Sequence, residues 1–587
     1  MHLFTCPRPG WDLLAAGRLA SLLLLALALS LTAQAQAPAW AWARNMTVAA
    51  IAPNNSAVLA PARVVADGSG NSYVLSRVAG AATFGPLSLS NPIPSGAFIA
   101  KLDAAGNYVW VRGFTATGAA NPTGLAADAA GNLVVTGLFA GTMTLGSATL
   151  TAYLPSNQIQ AYFVAKLSSA GTWAWANSYG STASSNLLPS VALAPGGDVL
   201  LAGTFQATAT AGPLAFPLGN TTLVSIGGYD VYVARLDGST GAWRWAVRGG
   251  GTASDQALAV CADAAGNALV AGSFVGTGVF GPTSLTASGL NNGAFDSDVF
   301  VGKLNATGQW QWASGGGGVS NDAAQAVAVD RAGDILLTGS FRNQATFGPA
   351  QVGTPQTTVD DVVVAKLSAG GQWQWATRAG GSSYDVGYAV AADAQNNVYV
   401  AGGVSVQADF GSTVLNGTNL TSSVFVGRLS PAGTWQWVLG AGNATTGGAN
   451  GGGVGFALDA AGNALVADRY QGTATMGPFA LNSGGAFQDA GFVAKLGNAP
   501  LATRGTAAAL RFAVAPNPVA AGAALTLHTA APGTFELRDA LGRPMLTVQA
   551  VSAGQRRVAL PASLTPGLYL ATLRTADGTT TQRLVLE

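Results

Sequence analysis

Residues 256–274 read QALAVCADAAGNALVAGSF, which is an apolar run, a turn of the form Asp-Ala-Ala-Gly-Asn and a second apolar run. Gly adopts a positive φ without steric cost, and Asp or Asn can hydrogen-bond to its own turn backbone, so the stretch predicts a β-hairpin. Two further runs follow, DVFVGKL at 298–304 and QWQW at 309–312. Because they are short and separated by another turn that contains Gly, they predict a third and a fourth strand of an antiparallel meander.

This four-strand pattern recurs along the chain at intervals of 61 to 69 residues. The equivalent turn positions are Asp67, Asp128, Ala194, Asp263, Asp330, Asp393 and Asp459. Seven copies of four strands predict an all-β fold, with a seven-bladed β-propeller over residues 36–497.

The two ends of the repeat region predict how the propeller closes. Trp40-Ala41-Trp42 matches the fourth strand of a copy but precedes the first hairpin, and no such strand follows Leu496. If the N-terminal strand completes the last blade, the edges that would otherwise be exposed are paired. We therefore predict closure by the N-terminal strand.

Within each copy, the apolar first strand is expected to be covered on both faces near the channel. The loop between strands two and three carries a pair such as Phe280-Gly281, which predicts a turn with its aromatic side chain tucked under the blade. The fourth strand alternates, as in residues 372–375 (QWQW), so its two Trp side chains share one face. Their repetition predicts packing between blades, with a sugar-stacking surface as the alternative.

The composition limits the partners of this chain. Only 9% of its 587 residues are charged, the formal net charge is +1, and 49% are hydrophobic. Ordinary globular domains have about 25% charged residues. Without a basic cluster, neither nucleic acid nor an anionic membrane is an expected partner. We expect a monomer.

The N-terminal residues 1–35 predict a secretory signal peptide. Arg8 and Arg18 precede the apolar run 19–31, and Ala33-Gln34-Ala35 offers a cleavage site. That run is shorter than the roughly 20 residues that span a bilayer, and an uncleaved anchor is the alternative. We expect no membrane span after cleavage. Cys261 is then the only thiol, and it is expected to be a small buried residue without a disulfide partner.

The repeat signature resembles a known family. Its elements are Gly-Gly, Ser-Asp or Asn-Asp, an apolar strand, Asp-x-x-Gly-Asn, Asp-x-Phe-Val-x-Lys-Leu and Gly-x-Trp-x-Trp. In this order they resemble the SBBP-type β-propeller repeat of secreted bacterial proteins over nearly all of 36–497. The resemblance implies a propeller outside the cytoplasm and supplies no catalytic residues. Copies one to three depart from the pattern at the Gly-Gly and Asp positions.

The chain after the repeats has a different character. An Ala/Gly/Thr-rich linker is expected at 498–510, and short alternating runs with turn residues between them predict a small β-sandwich at 511–587. This tail resembles the C-terminal sorting domain of type IX secretion cargo in Bacteroidota. The resemblance is carried by Pro516, Asn517, Pro518, Asp539, Gly542, Arg543, Gly567 and Tyr569. It implies the type IX machinery as a partner, and an extracellular or outer-membrane cell-surface location.

The residues available for chemistry in the predicted propeller are few. Both Glu residues (Glu536 and Glu587) lie in the tail, and both His residues (His2 and His528) lie outside 36–497. The region therefore lacks the usual general bases, His ligands for zinc and a Ser-His-Asp triad. We expect no enzyme and no cofactor. A hydrolase or lyase that uses channel-facing Asp residues is the alternative.

Two sets of Asp residues are candidates for cation binding. The turn Asp of each Asp-x-x-Gly-Asn lacks the alternating ligands of a calcium loop and predicts a structural turn. Eight residues before it stand Asp255, Asp322 and Asp385, with Asn186 at the same offset in copy three. Equal offsets predict one shared rim, which would attract calcium or a hydroxyl-rich ligand such as a polysaccharide. In the alternative interpretation, each carboxylate accepts N–H groups of its own Gly-rich loop.

These observations predict a secreted or surface-displayed binding or adhesion module.

Overall fold

The computed structural model describes residues 38–48, 63–89, 96–152, 160–182, 188–206, 216–291, 294–355, 358–416, 423–445, 454–484, 489–497, 512–529, 532–539, 543–575 and 578–587. Within these ranges every regular element is a β-strand, as the sequence predicts. The expected signal peptide and linker lie outside the described residues. The chain divides into two compact units, Met1–Pro500 and Leu501–Glu587.

The first unit contains seven antiparallel sheets, each with a core of four strands. In six of them the four strands stand in chain order, and in the seventh the N-terminal strand Trp40–Val48 takes the fourth place. Their strands are Arg63–Ala66, Ser72–Val78, Gly96–Leu102 and Tyr108–Thr115 (sheet 1); Ala120–Ala127, Leu133–Phe139, Gln160–Leu167 and Trp173–Thr182 (sheet 2); Ser190–Leu193, Val199–Phe205, Asp230–Leu236 and Trp243–Gly251 (sheet 3); Gln256–Ala262, Ala268–Val275, Ser297–Leu304 and Trp310–Gly318 (sheet 4); Ala323–Val329, Ile335–Arg342, Asp360–Leu367 and Trp373–Gly381 (sheet 5); Val386–Ala392, Val398–Val404, Ser423–Leu429 and Trp435–Thr445 (sheet 6); and Gly455–Leu458, Ala464–Gln471, Asp489–Leu496 and Trp40–Val48 (sheet 7).

The hairpin turns have the chemistry that their sequence predicts. Asp263 Oδ1 accepts the backbone N–H groups of Ala265 and Asn267 at 3.0 and 2.9 Å. The Asn267 side chain donates to Asp263 Oδ2 at 2.7 Å, and Gly266 has a φ of 79°. The carboxylate therefore caps its own turn, which orients the two strands that leave it.

The predicted pairing of the N-terminal strand with the last repeat is confirmed. Trp40–Val48 lies antiparallel to Asp489–Leu496, with Met46 opposite Gly491. Trp42 and Met46 are buried in the hydrophobic cluster that joins sheets 7 and 1. The first strands of sheets 1 to 7 also contact one another in succession, and Arg63–Ala66 contacts Gly455–Leu458. The succession of contacting sheets thus leads from sheet 1 through sheet 7 and back to sheet 1.

The segment between strands two and three is a second hairpin, where the sequence predicts only a turn. Its strands are Ala82–Phe84 and Leu87–Leu89, Thr142–Leu145 and Ala148–Thr151, Phe216–Leu218 and Thr221–Leu223, Thr277–Phe280 and Thr283–Thr286, Gln344–Phe347 and Ala350–Gly353, Gln407–Phe410 and Thr413–Asn416, and Thr473–Met476 and Phe479–Asn482; a short pair, Leu290–Asn291 and Ala294–Phe295, adds to sheet 4's connection.

Four of these seven hairpins extend the preceding sheet rather than their own. Val279 pairs with Gly250 of sheet 3, Thr346 with Gly317 of sheet 4, and Asp409 with Gly380 of sheet 5. The expected burial of the aromatic residue is confirmed, since Phe280 is fully buried. Each of these four hairpins therefore pairs with the edge of the preceding sheet's fourth strand, which links successive sheets.

The first strands are more exposed than the sequence predicts. In sheet 5, strand two is almost completely buried, whereas only Ala324 and Val327 are buried in strand one. The expectation that both faces of the first strand are covered is wrong. One face packs between neighbouring sheets, and the other lines a cavity of about 750 Å³.

The paired Trp side chains pack between sheets, as predicted. The Trp245 indole N–H of sheet 3 donates to the Ala306 carbonyl of sheet 4 at 2.9 Å. In return, the Trp310 N–H of sheet 4 donates to the Arg248 carbonyl of sheet 3 at 3.0 Å. Sheets 3 and 4 are therefore hydrogen-bonded to each other in both directions at this position.

The second unit contains two antiparallel sheets. Ala513–Ala515, Ala524–Thr529 and Gly554–Ala559 form one sheet, and Pro544–Val551, Gly533–Asp539, Gly567–Thr575 and Gly578–Leu586 form the other. Leu525 and Leu527 of the first sheet share a hydrophobic cluster with Phe535, Leu573 and Leu584 of the second.

Candidate functional site

The three candidate rim carboxylates are buried. Asp255, Asp322 and Asp385 each have no exposed surface, so the prediction that they face one shared opening is wrong. Asp322 Oδ2 accepts the Gly318 N–H at 2.7 Å, and its Oδ1 accepts the Arg342 N–H at 3.0 Å. The alternative, in which the carboxylate caps backbone N–H groups, describes the observed arrangement.

The same bonds recur at the two other positions and cross from sheet to sheet. Asp255 accepts the N–H groups of Gly251 and Val275, and Asp385 those of Gly381 and Ser405. In each case one donor ends the fourth strand of the preceding sheet and the other ends, or directly follows, strand two of the Asp's own sheet. These Asp residues therefore fasten consecutive sheets together. Asn186 lies outside the described residues.

A second buried Asp faces each member of this set. Asp298, at the start of strand three of sheet 4, pairs with Asp322, and Asp230 and Asp361 stand opposite Asp255 and Asp385. A Cβ on Gly317 would lie 2.6 Å from Asp298 Oδ1 and 2.8 Å from Asp322 Oδ2. The two carboxyl groups thus meet over a residue that has no side chain to separate them.

Burial changes the ionisation of these pairs. It raises the pKa of Asp322 to about 8 and that of Asp385 to about 7, despite the N–H groups that favour the charged form. The neighbouring Asp adds to each rise, because like charges disfavour one another. Arg378 lies 2.8 Å from Asp361 and offsets part of the charge there, whereas no salt bridge reaches Asp298 or Asp322 within the described chain.

The turn Asp residues show no sign of a metal centre. Lys303 and Lys495 bind Asp263 and Asp459 at 2.9 and 2.6 Å, and the turns use the remaining carboxylate oxygens. In the part of the chain that the structure describes, no group of three or more His, Cys, Asp or Glu residues could hold a metal ion. Cys261 is partly buried, and burial raises the pKa of its thiol to about 12, so the sulfur stays protonated.

The cavity formed by the first strands is a site that sequence reasoning missed. Its lining combines neutral polar side chains with aromatic and aliphatic ones, and Arg63 is the one charged residue among its described lining. The lining includes Thr123, Ser190, Leu258, Asn321, Gln325, Tyr388 and Phe456. Its volume falls in the usual range for small-molecule sites, about 300 to 1,000 Å³.

A β-bulge recurs in the first strand at this cavity. The residue five positions before the turn Asp is skipped in the pairing of strands one and two at Thr123, Leu258, Gln325 and Tyr388. Opposite the bulge stands a Gly of strand two, such as Gly339, whose added Cβ would collide with the Ala323 carbonyl. A Gly inside a strand is typical of a bulge or of a close approach between backbones, so the recurring Gly in strand two was the sequence signal for this feature.

The tail residues that carry the sorting resemblance have structural contacts of their own. Asn517 donates to the Arg583 carbonyl at 2.8 Å and accepts the Val585 N–H at 2.9 Å. Arg543 and Asp539 form an ion pair at 2.6 Å, and the Tyr569 hydroxyl donates to the Thr565 carbonyl at 2.8 Å. Gly542 lies outside the described residues. Pro516 and Pro518 flank Asn517, and Gly567 begins a strand.

Comparison with known proteins identifies the repeat. Residues 374–402 match the SBBP family model, described as a β-propeller repeat. An uncharacterized WD repeat-containing protein of Acanthamoeba polyphaga mimivirus is 25% identical over 234 residues. The aligned segment is 34% of this chain and 16% of that relative. The chain is therefore a β-propeller repeat protein.

Two solved structures are similar over most of the chain. A protein of unknown function from Dyadobacter fermentans has a TM-score of 0.35 and 13% identity, with 77% of this chain and 98% of that one covered. A quinohemoprotein alcohol dehydrogenase from Comamonas testosteroni has a TM-score of 0.33 and 10% identity, with 75% and 76% covered. Among the described residues, none forms a helix with the length and hydrophobicity to cross a membrane.

Proposed function

We propose that this protein is an extracellular, non-catalytic binding module that recognises a hydroxyl-rich ligand such as a polysaccharide. The observation that carries the proposal is the cavity of about 750 Å³. Its described lining combines uncharged polar, aliphatic and aromatic side chains with Arg63 and contains no carboxylate. Such a mixture suits a ligand with both hydroxyl groups and apolar ring faces.

The architecture that we propose for it is a seven-bladed propeller closed by the N-terminal strand, followed by a sorting β-sandwich. Three features support closure: seven four-stranded sheets, the Trp40–Val48 pairing and the succession of contacts between first strands. The two sheets that share one hydrophobic cluster at 512–587 support the sandwich.

The residue types missing from the repeat region support the proposal that the protein is non-catalytic. Residues 36–497 contain no Glu and no His. The Asp residues with raised pKa values sit between sheets, are fully buried and are absent from the described cavity lining. A general base must reach the proton that it removes, so these carboxyls support a structural role rather than the hydrolase or lyase alternative.

The location that we propose is outside the cell. Residues 1–35 have the features of a secretory signal, and the tail resembles a type IX sorting domain. The type IX machinery would then be the export partner, and the protein would act as a monomer without a cofactor. We retain calcium only as a prediction to be tested.

A binding assay tests the functional proposal. The full chain without its signal peptide should be retained on at least one insoluble polysaccharide of a panel, and reducing ends should not increase over time. Release of oligosaccharides would instead favour the hydrolase or lyase.

Export is tested separately in the native host. Deleting 511–587 should leave the protein in the periplasm, and the Arg543→Ala variant should show whether the Asp539 ion pair contributes to sorting. Normal surface delivery without the tail would contradict the sorting proposal and leave the binding proposal intact.

A further inference from the structure

The bulged residues in the first strands of sheets 4, 5 and 6 are Leu258, Gln325 and Tyr388. All three line the cavity and are partly exposed. They occupy one structural position, yet one is aliphatic, one an amide and one a phenol. The repeats thus keep the β-bulge and vary the side chain that it carries. Rigid scaffolds commonly present variable recognition groups in this way.

The bulged side chains differ in their packing and hydrogen bonding, and the Tyr388 ring packs against the hydrophobic cluster shared by sheets 6 and 7. Within the described residues, neither the Gln325 amide nor the Tyr388 hydroxyl forms a hydrogen bond, although both lie beside a polar cavity. Thr123, the fourth bulged residue, differs because its hydroxyl donates to the Pro189 carbonyl at 3.0 Å. Among the four bulged residues, the polar groups without a hydrogen bond in the described structure are therefore those of Gln325 in sheet 5 and Tyr388 in sheet 6.

We propose that Leu258, Gln325 and Tyr388 are the specificity-determining contacts of the cavity and bind a neutral oligosaccharide. This inference rests on the proposed function and names the site and the ligand class. Gln325 supplies donors and an acceptor for hydroxyl groups, and Tyr388 supplies a ring face for the C–H face of a sugar.

The electrostatics favour an uncharged ligand. None of the three bulged residues is charged at neutral pH, because Leu and Gln side chains do not ionise and a Tyr hydroxyl ordinarily has a pKa of about 10. Burial raises the pKa of Tyr388 further. Arg63, the charged lining residue, feels the opposite charge of buried Asp468, so the site offers an anion little net attraction. An acidic sugar would lose its hydration without a free cationic partner.

Calorimetric titration of the full chain without its signal peptide tests the inference. The neutral probes are cellohexaose, xylohexaose and mannohexaose, and the acidic probe is trigalacturonic acid. We expect at least one neutral probe to bind, and we expect Gln325→Ala with Tyr388→Phe to weaken it at least tenfold. Gln395→Ala is the matched control, because Gln395 lines a different cavity, of about 840 Å³.

The outcomes separate the two proposals. Unchanged melting temperatures, weakened binding in the double variant and normal binding in the control would support the inference. Binding that survives the double variant would overturn it while leaving the proposed function in place. Binding of the acidic probe alone would overturn the neutral-ligand assignment. No binding of any probe, together with no retention on polysaccharide, would overturn both proposals.

Discussion

At the scale of the single residue, glycine is required at several positions of the repeat, and the steric reason differs from one position to the next. Gly339 lets the bulged first strand approach strand two, and Gly317 leaves room for two carboxyl groups to meet. Gly308 combines a φ of 86° with a Trp245 ring atom only 2.7 Å from the place of its missing Cβ. The high Gly content is therefore tied to contacts between neighbouring strands and sheets.

Gly308→Ala tests the contact with the neighbouring Trp. A positive φ costs an Ala about 1 to 2 kcal/mol, and the collision with Trp245 should add about 1 to 3 kcal/mol through overpacking. Gly333→Ala is the matched control, since Gly333 has a φ of 85° but its Cβ would lie 3.9 Å from the nearest atom. Urea denaturation should show the larger loss for Gly308→Ala, and equal losses would contradict the packing role.

The buried Asp pairs predict a pH dependence of stability. The folded pKa of Asp322, about 8, lies above the unfolded value near 3.9. The folded state therefore binds the proton more tightly, and the stability that this contributes is present below about pH 4 and is lost as the pH rises towards 8. Other charges face the pair: Asp296 and Asp360 are acidic, and Arg342 is held by Asp360 at 2.7 Å.

We expect Asp298→Asn to reduce this pH dependence, because the amide supplies a permanent donor towards Asp322 and removes one charge. The melting temperature of the parent should fall between pH 5 and pH 9, and that of the variant should fall less. Asp237→Asn is the control, because hydrogen bonds in its turn lower the pKa of Asp237 and place its titration below this range. Parallel pH profiles for the parent and Asp298→Asn would contradict the conclusion that the charge of Asp298 helps to raise the pKa of Asp322.

At the scale of the element, the N-terminal strand joins two hydrophobic clusters. Trp40 packs into the cluster shared by sheets 6 and 7, and Trp42 into the cluster shared by sheets 7 and 1. The proposed closure therefore depends on this strand, which pairs with Asp489–Leu496 from the other end of the repeat region.

Trp42→Ala should lower the free energy of unfolding by about 3 to 5 kcal/mol, the usual cost of truncating a buried aromatic residue. Val109→Ala provides the control, because Val109 is 52% exposed in the fourth strand of sheet 1. Deleting residues 36–44 should be more damaging than either substitution. A deletion variant that melts at the parental temperature would refute closure by this strand.

The hairpins between strands two and three predict that two adjacent residues differ in their contribution to stability. Phe280 is fully buried, whereas Val279 beside it is 48% exposed. Phe280→Ala should cost about 3 to 5 kcal/mol, and Val279→Ala should stay within about 0.5 kcal/mol. Thermal denaturation of the two variants measures the difference, and similar small effects would mean that the hairpin does not hold successive sheets together.

At the scale of the whole molecule, the two compact units predict separable stability. The unit Met1–Pro500 contains all seven sheets, and residues 512–587 have a hydrophobic cluster of their own. Residues 36–500 expressed alone should therefore fold and give the melting transition of the first unit in the full chain. A truncated protein that aggregates or melts at least 10 °C lower would contradict this independence.

Much of the architecture follows from the sequence alone because its cause is local. The Asp263 turn depends on hydrogen bonds within five residues, and the alternation of residues 372–375 sets which face the Trp side chains occupy. The spare strand at Trp40 follows from counting copies of the pattern. Such features can be predicted without knowing which sheets are neighbours in the folded protein.

Other features were decided only by tertiary structure, because they depend on partners far away in the chain. Asp322 is buried where strand four of sheet 4 ends beside strand two of sheet 5, and it accepts an N–H group from each strand, those of Gly318 and Arg342. The offset of Asp322 from the turn predicts its height on the sheet but carries no information on these neighbours. Likewise, Gln325 reaches the cavity because a bulge opposite Gly339 interrupts the strand's alternation, and a periodic reading of strand one cannot anticipate such an interruption.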